Sequence, residues 1–252
     1  MARMVDCGAG PRRELAEARR REKARSKRLW MLFLFLLSVG AASAAASALT
    51  HMRLFRVILI AACAALAFFP LCISGSGSSR ISVLSAGAAG EEDAAALLSN
   101  LPDEYTVFRN AVAAGLEIDF IIVGPTGVFA IEVKAYSGTL LGDYSEQQWL
   151  KRKRSPMGKV YEKDVSNPLL QARRGAAALS RELLRRGERI YVNGAVYLAG
   201  GECTAEITGD PPCERLFSHY DELLDFITEN PHGISPRAEK NICGIIRDIA
   251  VL

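Results

Sequence analysis

Hydrophobic and polar positions divide the chain into three stretches. Up to Arg28 it is polar and rich in cations. From Leu29 to Met52, and again from Val57 to Ser79, no residue is charged. These runs are densest at Met31–Leu37 and Val57–Ile73, and each exceeds the ~20 residues that cross a hydrocarbon core. They predict two transmembrane helices, about 31–50 and 54–73, joined by a tight link around Thr50-His51-Met52-Arg53. A cleaved signal peptide is the competing reading, with a long basic leader and a second apolar run against it. Ser74-Gly75-Ser76-Gly77-Ser78-Ser79 has the composition of a flexible linker, taken to span 74–86.

Beyond the linker the periods change. Gly90 to Leu101 reads as a helix with Glu91, Glu92 and Asp93 in its first turn and Ala94, Leu97, Leu98 and Leu101 as its apolar stripe. Tyr105–Phe108 is a short strand. Glu117–Val123 and Val128–Lys134 are β-rich runs flanking Gly124-Pro125-Thr126-Gly127, the pattern of a hairpin. Asn167 and Pro168 can cap and open a helix whose stripe is Ala172, Ala176, Leu179 and Leu183. Ile190–Leu198 is a further strand, and His219–Glu229 and Arg237–Val251 are closing helices. The domains expected are a basic tail (1–28), the two spans (29–73), the linker, and a folded domain (87–252) with its core at 87–199 and closing helices within 215–251.

Charge sharpens this division. The 252 residues carry 31 Lys+Arg against 28 Asp+Glu, a net of +3, with half of the positions hydrophobic. That balance excludes a protein that coats nucleic acid generally, and the hydrophobic content excludes a disordered chain. Six cysteines exclude a disulfide-dense scaffold. The cations gather before the first apolar run (Arg12, Arg13, Arg19, Arg20, Arg21, Lys23, Arg25, Lys27, Arg28), which predicts a cytoplasmic start. A two-span hairpin then returns the folded domain to the cytoplasmic side of the cell (inner) membrane, as a multi-pass protein with the lipid bilayer as a partner.

The hairpin carries the candidate chemistry. Symmetric pairing about its turn sets Val123 opposite Val128, Asp119 opposite Glu132 and Glu117 opposite Lys134. Alternation puts these charged residues on one face, with Ile118, Phe120, Ile122, Phe129, Ile131 and Val133 on the other. Carboxylates opposed at ~5 Å repel and suit a cation such as Mg²⁺, with Lys134 beside it. Glu117–Lys134 as an ordinary ion pair, with Asp119 and Glu132 partly solvated, is the alternative. No CxxC pair, Ser-His-Asp set or phosphate-binding Gly-rich loop stands out. Lys151-Arg152-Lys153-Arg154, after Trp149, can neutralise phosphates while Trp149 stacks on a base; a solvated basic loop with Trp149 in the core is the alternative.

Asp119 with Glu132-Val133-Lys134 resembles the Asp…Glu-x-Lys signature of the PD-(D/E)XK nuclease superfamily. Gly90-Glu91, Glu117–Pro125, Gly127–Lys134, Gly138, Trp149 and Asn167-Pro168-x-x-Gln171 more closely resemble the nuclease-related domain, NERD, over roughly residues 87–185. The resemblance implies a restriction-endonuclease-like α/β fold, a mixed sheet flanked by helices. It implies that Asp119 and Glu132 bind Mg²⁺ (or Mn²⁺), that Lys134 is the catalytic lysine, and that Glu91 and Gln171 assist. The expected function is metal-dependent hydrolysis of nucleic-acid phosphodiesters, DNA ahead of RNA. A catalytically silent nucleic-acid-binding or scaffolding module at the membrane is the alternative.

Overall fold

A computed structural model of the chain describes residues 1–8, 10–48, 57, 75–155, 157–201 and 203–250. It falls into two units, residues 11–85 and residues 1–10 with 86–252.

The first of these units holds most of helix α1 (Gly10–Ala48) and the start of α2 (Gly75–Leu98). Among the described residues, no helix is long and apolar enough to cross a membrane. The reason is visible in α1. It is charged through Arg28, and its strongly apolar block, Leu29–Leu37, is nine residues long before it fades into Ala and Ser. Nine helical residues rise about 13 Å, less than half of a ~30 Å hydrocarbon core. The expected transmembrane hairpin is corrected accordingly. With it go the multi-pass inner-membrane placement, the cytoplasmic orientation argued from it, and the bilayer as a partner. The second expected span, 54–73, lies outside the described residues apart from Val57. The stretch expected to be a flexible linker is helical from Gly75 onward.

The larger unit is mixed α/β, with sheets flanked by helices. Its main sheet has six strands: β1 (Arg3–Asp6), β2 (Thr106–Ala113), β3 (Leu116–Gly124), β4 (Gly127–Lys134), β8 (Val192–Leu198) and β10 (Arg215–Phe217), in that order across the sheet. The β2–β3–β4 meander is antiparallel, and β1, β8 and β10 each join their neighbours in parallel. The edge strand β1 comes from a part of the chain read from sequence as a basic tail. The parallel step from β4 to β8 passes through a second sheet and helix α3 (Pro168–Arg185). That second sheet orders β7 (Val160–Ser166), β6 (Gln148–Arg154), β5 (Gly138–Asp143) and β9 (Cys203–Thr208).

Both faces of the main sheet are covered. Phe120, Ile122, Phe129, Ile131 and Val133 pack with Ala94, Leu98 and Leu101 and with α4 (Tyr220–Thr228), through Leu223 and Ile227. Ile121, Val123, Val128 and Ala130 pack with Ala176 and Leu179 of α3 and Ile242 and Ile246 of α5 (Pro236–Ala250). A third cluster, with Leu140, Trp149, Leu169, Val196 and Leu198, joins the two sheets. Asn167 anchors α3 as its sequence suggests. Its Oδ1 accepts from Leu169 N at 3.0 Å, and its Nδ2 donates to Glu146 O at 2.9 Å, tying the helix start to the β5–β6 turn.

Candidate active site

The hairpin of β3 and β4 has the register its sequence predicts. Val123 pairs with Val128 and Phe120 with Ile131. Gly124 and Gly127 are themselves a pair, so the loop is only Pro125-Thr126. At the open end the ladder stops after Phe120–Ile131, and a side chain takes over: Val133 N donates to Asp119 Oδ2 at 2.7 Å.

A break in β3 places that carboxylate. The β2–β3 pairing runs through Arg109–Phe120 and resumes at Ala111–Ile118, skipping Asn110 and Asp119. Asn110 has φ +54°, a left-handed conformation that asparagine tolerates better than most residues. Side-chain alternation fails at this point. Ile118, expected beside Phe120, packs instead with Ile121 and Val123. The acids therefore stand at the end of a covered face, and no continuous polar face exists.

Glu132 is 5% exposed, and its Oε1 accepts from Lys134 Nζ at 2.5 Å. Glu91 comes from α2, which the glycine before it lets approach closely. A Cβ on Gly90 would lie 2.6 Å from the Cβ of Ala135, just past the end of β4. Glu91 is also 5% exposed, and its Oε2 has no hydrogen-bond partner.

Burial, followed by the charge of Asp119, pushes the Glu91 carboxyl up to about 8. The same two causes push Glu132 up to about 7, against the pull of Lys134. Burial also raises Asp119, opposed by its bond from Val133 and by Lys134 and Arg109. Burial works against the Lys134 ammonium, but Glu132 and Asp119 outweigh it and hold it above the ordinary lysine value. The centre thus crowds three carboxyl groups beside one lysine that stays protonated at neutral pH.

Arg109 is the site residue that the sequence reading missed. It is buried on β2, with Nη1 3.2 Å from Glu92 Oε2, Nη2 3.9 Å from Glu91 Oε2, and its guanidinium 5.9 Å from the centre of the Phe120 ring. The signal is a lone cation followed by Asn110 between the apolar pairs Val107-Phe108 and Ala111-Val112, past the expected end of the strand at Phe108. Gln171 is exposed on α3 and, among the described residues, forms no hydrogen bond with the acids. It stands one turn before Gly175, on the same helix face, and Gly175 packs against Ile118 beside Asp119.

Lys151–Arg154 are part of strand β6, not a loop. Trp149 is buried, and its Nε1 donates to Asp143 O at 2.8 Å. It is a core residue, so the expected stacking on a base is corrected.

The arrangement of Asp119, Glu132 and Lys134, with Glu91 arriving from the preceding helix, can now be set beside known proteins. Residues 86–199 match the nuclease-related domain, NERD. No curated protein and no solved structure matches the chain. The nuclease-related segment runs from within α2 to the end of β8. It contains Glu91, Arg109, Asp119, Glu132, Lys134 and Gln171, and excludes β1, β9, β10 and the last two helices.

Among the described residues, no three His, Cys, Asp or Glu side chains converge as a metal-binding group. The donors of the nuclease-related segment still suit a hard divalent cation. They are carboxylate oxygens, one of them buried without a hydrogen-bond partner, and burial, followed by the charge of Asp119, raises the pKa values of Glu91 and Glu132. Mg²⁺ is commonly held by one or two carboxylates, with water and phosphate completing its shell.

Proposed function

We propose that the nuclease-related segment hydrolyses nucleic-acid phosphodiester bonds with a divalent metal, Mg²⁺ or Mn²⁺. The observation that carries this reading is the gathering of buried Glu91 and Glu132 with half-buried Asp119, from one helix and two strands, and a protonated Lys134 held on Glu132. A charge cluster this costly to bury is expected where it serves binding or catalysis.

In this reading Asp119 and Glu132 hold the metal, and Glu91, whose Oε2 has no hydrogen-bond partner, assists them. When bound, the cation would polarise a phosphoryl oxygen and acidify a water. Lys134 acts as a fixed positive charge, because its raised pKa makes it a poor base at neutral pH. It stabilises negative charge developing on the phosphoryl oxygens, held in place by Glu132. Arg109 is a positioning residue that holds Glu91 and Glu92 beside β2. Gln171, exposed at the start of α3, would assist from the substrate side. DNA is the first substrate to test, with RNA beside it.

The test uses the full chain, because β1 belongs to the main sheet and a truncation at residue 80 would remove it. Supercoiled, linear and single-stranded DNA, and RNA, are incubated with Mg²⁺ or Mn²⁺ beside an EDTA control and Glu132→Ala. Metal-dependent cutting that disappears in the variant supports the reading. Cutting that survives in Glu132→Ala refutes it, and binding without cutting by folded wild-type protein points to a silent binding module.

A further inference from the structure

We propose that Tyr136, Lys151, Lys153 and Lys163 form a track on the second sheet that holds nucleic-acid backbone phosphates beside the acidic centre. The proposal rests on the hydrolase reading above and narrows the basic run to the part that faces the site.

Strand β6 alternates like any strand, so its four consecutive cations cannot act together. Arg152 and Arg154 share one face with Leu150, and Arg152 is held by Glu162, Nε to Oε1 at 2.8 Å. Lys151 and Lys153 share the other face with Trp149. Across the ladder, Lys151 pairs with Lys163 and Trp149 with Val165, while Leu140 of β5 pairs with Lys151 on the other side. This inner face is therefore apolar where it meets the core, at Leu140, Trp149 and Val165, and becomes cationic where it runs past it.

The cationic end adjoins the acids. The Lys151 ammonium stands 5.0 Å from the centre of the Tyr136 ring. Tyr136 follows Lys134 by two residues, and it feels the charges of both Lys134 and Glu132. Its hydroxyl has no hydrogen-bond partner among the described residues. Lys153 Nζ donates to Ser137 Oγ at 2.9 Å, one residue further on. Gly138, where the chain passes into the second sheet, has φ +92°, and a Cβ there would sit 2.2 Å from Arg152 O. That glycine allows β6 to lie close against the end of the Lys134–Ser137 segment.

Like charges crowd here. Burial lowers Lys151 below its ordinary value, Lys163 and Lys153 press on it further, and Cys203 rather than a carboxylate pulls the other way. On the other face of this sheet Arg152 has Glu162 as a partner, and at the start of α3 Arg173 has Glu214. A polyanion that crosses this face would relieve the repulsion and leave its neighbouring phosphate at Lys134.

The experiment measures binding of labelled single- and double-stranded DNA oligonucleotides to the full chain in EDTA, over a salt titration. The proteins are wild type, Lys151→Gln/Lys153→Gln/Lys163→Gln, Arg152→Gln/Arg154→Gln and Tyr136→Leu, each with its folding checked by circular dichroism. The lysine variant is expected to lose about 0.9 from the log–log salt slope on duplex per phosphate contact removed. The arginine variant should keep the wild-type slope, and Tyr136→Leu should weaken binding roughly two- to fivefold. An unchanged slope in the lysine variant, an equal loss in the arginine variant, or no binding by wild type overturns the track.

Cleavage is scored separately. Protein that binds through the lysines but never cuts with Mg²⁺ or Mn²⁺ keeps the track and removes the hydrolase reading. Protein whose lysine variant binds and cuts like wild type removes the track alone.

Discussion

The two ends of the β3–β4 hairpin are built from opposite chemistry. At the turn end, Ile121, Ile122, Val123, Val128 and Phe129 have no solvent exposure, and every residue from Phe120 to Gly124 has a ladder partner. At the open end, about 17 Å away along β3, the ladder has stopped, and Asp119, Glu132 and Glu91 gather with unfavourable charge. One end secures the strands so that the other can hold groups that would otherwise move apart or stay in water. Substitutions at the open end should therefore cost activity and little stability, and those at the turn end the reverse.

The largest effect is expected from the acids. Asp119→Asn should lower metal-dependent cleavage by at least ~100-fold, since losing even an outer partner of a metal ligand costs about 10–100-fold. Its free energy of unfolding in urea should stay within ~1 kcal/mol of wild type in the absence of metal, because the amide oxygen can still accept from Val133 N. Cleavage within tenfold of wild type would break the assignment of this end as the reactive one.

At the turn end, Phe129→Ala should cost about 3–5 kcal/mol, through lost burial and the cavity left behind. Phe129 packs at the centre of the cluster under α4, edge-to-face with Phe226 at 5.6 Å between ring centres. Its kcat, measured well below the unfolding transition, should match wild type. A large fall in kcat in the folded variant would show that the two ends are coupled.

Acidity separates the ends in another way. Glu91 and Glu132 have folded pKa values raised to about 8 and about 7, so between their ordinary values and these the native state binds more protons than the unfolded one. Stability then falls as pH rises across that window. The metal-free protein should be more stable at pH 5 than at pH 8, by an amount on the order of a few kcal/mol. Mg²⁺ should restore part of the loss at pH 8, since binding needs the deprotonated carboxylates. Thermal unfolding at the two pH values, with EDTA or Mg²⁺, checks both. A metal-free protein more stable at pH 8 than at pH 5 would contradict this account of the acids. Glu91→Gln should flatten the profile.

The same contrast explains what could be read in the sequence. The turn end was legible because its information is local: glycines flank a Pro-Thr loop between two apolar runs, which fixes the register. Asp119, Glu132 and Lys134 follow from that register by counting. Their surroundings do not. The flip that sends Ile118 to the far face depends on Asn110 in the neighbouring strand. The burial of Arg109 depends on α2, and the edge strand β1 pairs Arg3 with Thr106 across a hundred residues of intervening chain.

The second sheet was illegible for a different reason. Its strands are short and half exposed, so Gln148–Arg154 carries no alternation of apolar and polar residues, and the cations on its two faces look like one run. The apolar stretch from Leu29 misled in the opposite sense. Absence of charge was read as a membrane span, although the strongly apolar block covers only nine positions.

The smallest effect should come from Thr126, in the two-residue loop. Its hydroxyl donates to Ile227 O at 2.6 Å, near the end of α4, and lies 2.8 Å from the Tyr105 hydroxyl. It thus fastens the turn to the helix above and to the residue before β2. Thr126→Val keeps the shape and removes both bonds, leaving the Tyr105 hydroxyl and the Ile227 carbonyl to find other partners. Each bond is worth about 1 kcal/mol. Because the site is partly exposed, water can replace some of what is lost, so urea unfolding should show a loss of about 1–2 kcal/mol. Cleavage and the salt slope of DNA binding should not change, because no charged group of the open end touches this loop. A drop in cleavage out of proportion to so small a loss of stability would mean that the turn does more than hold the strands together, and that the acids at the far end depend on how tightly it is closed.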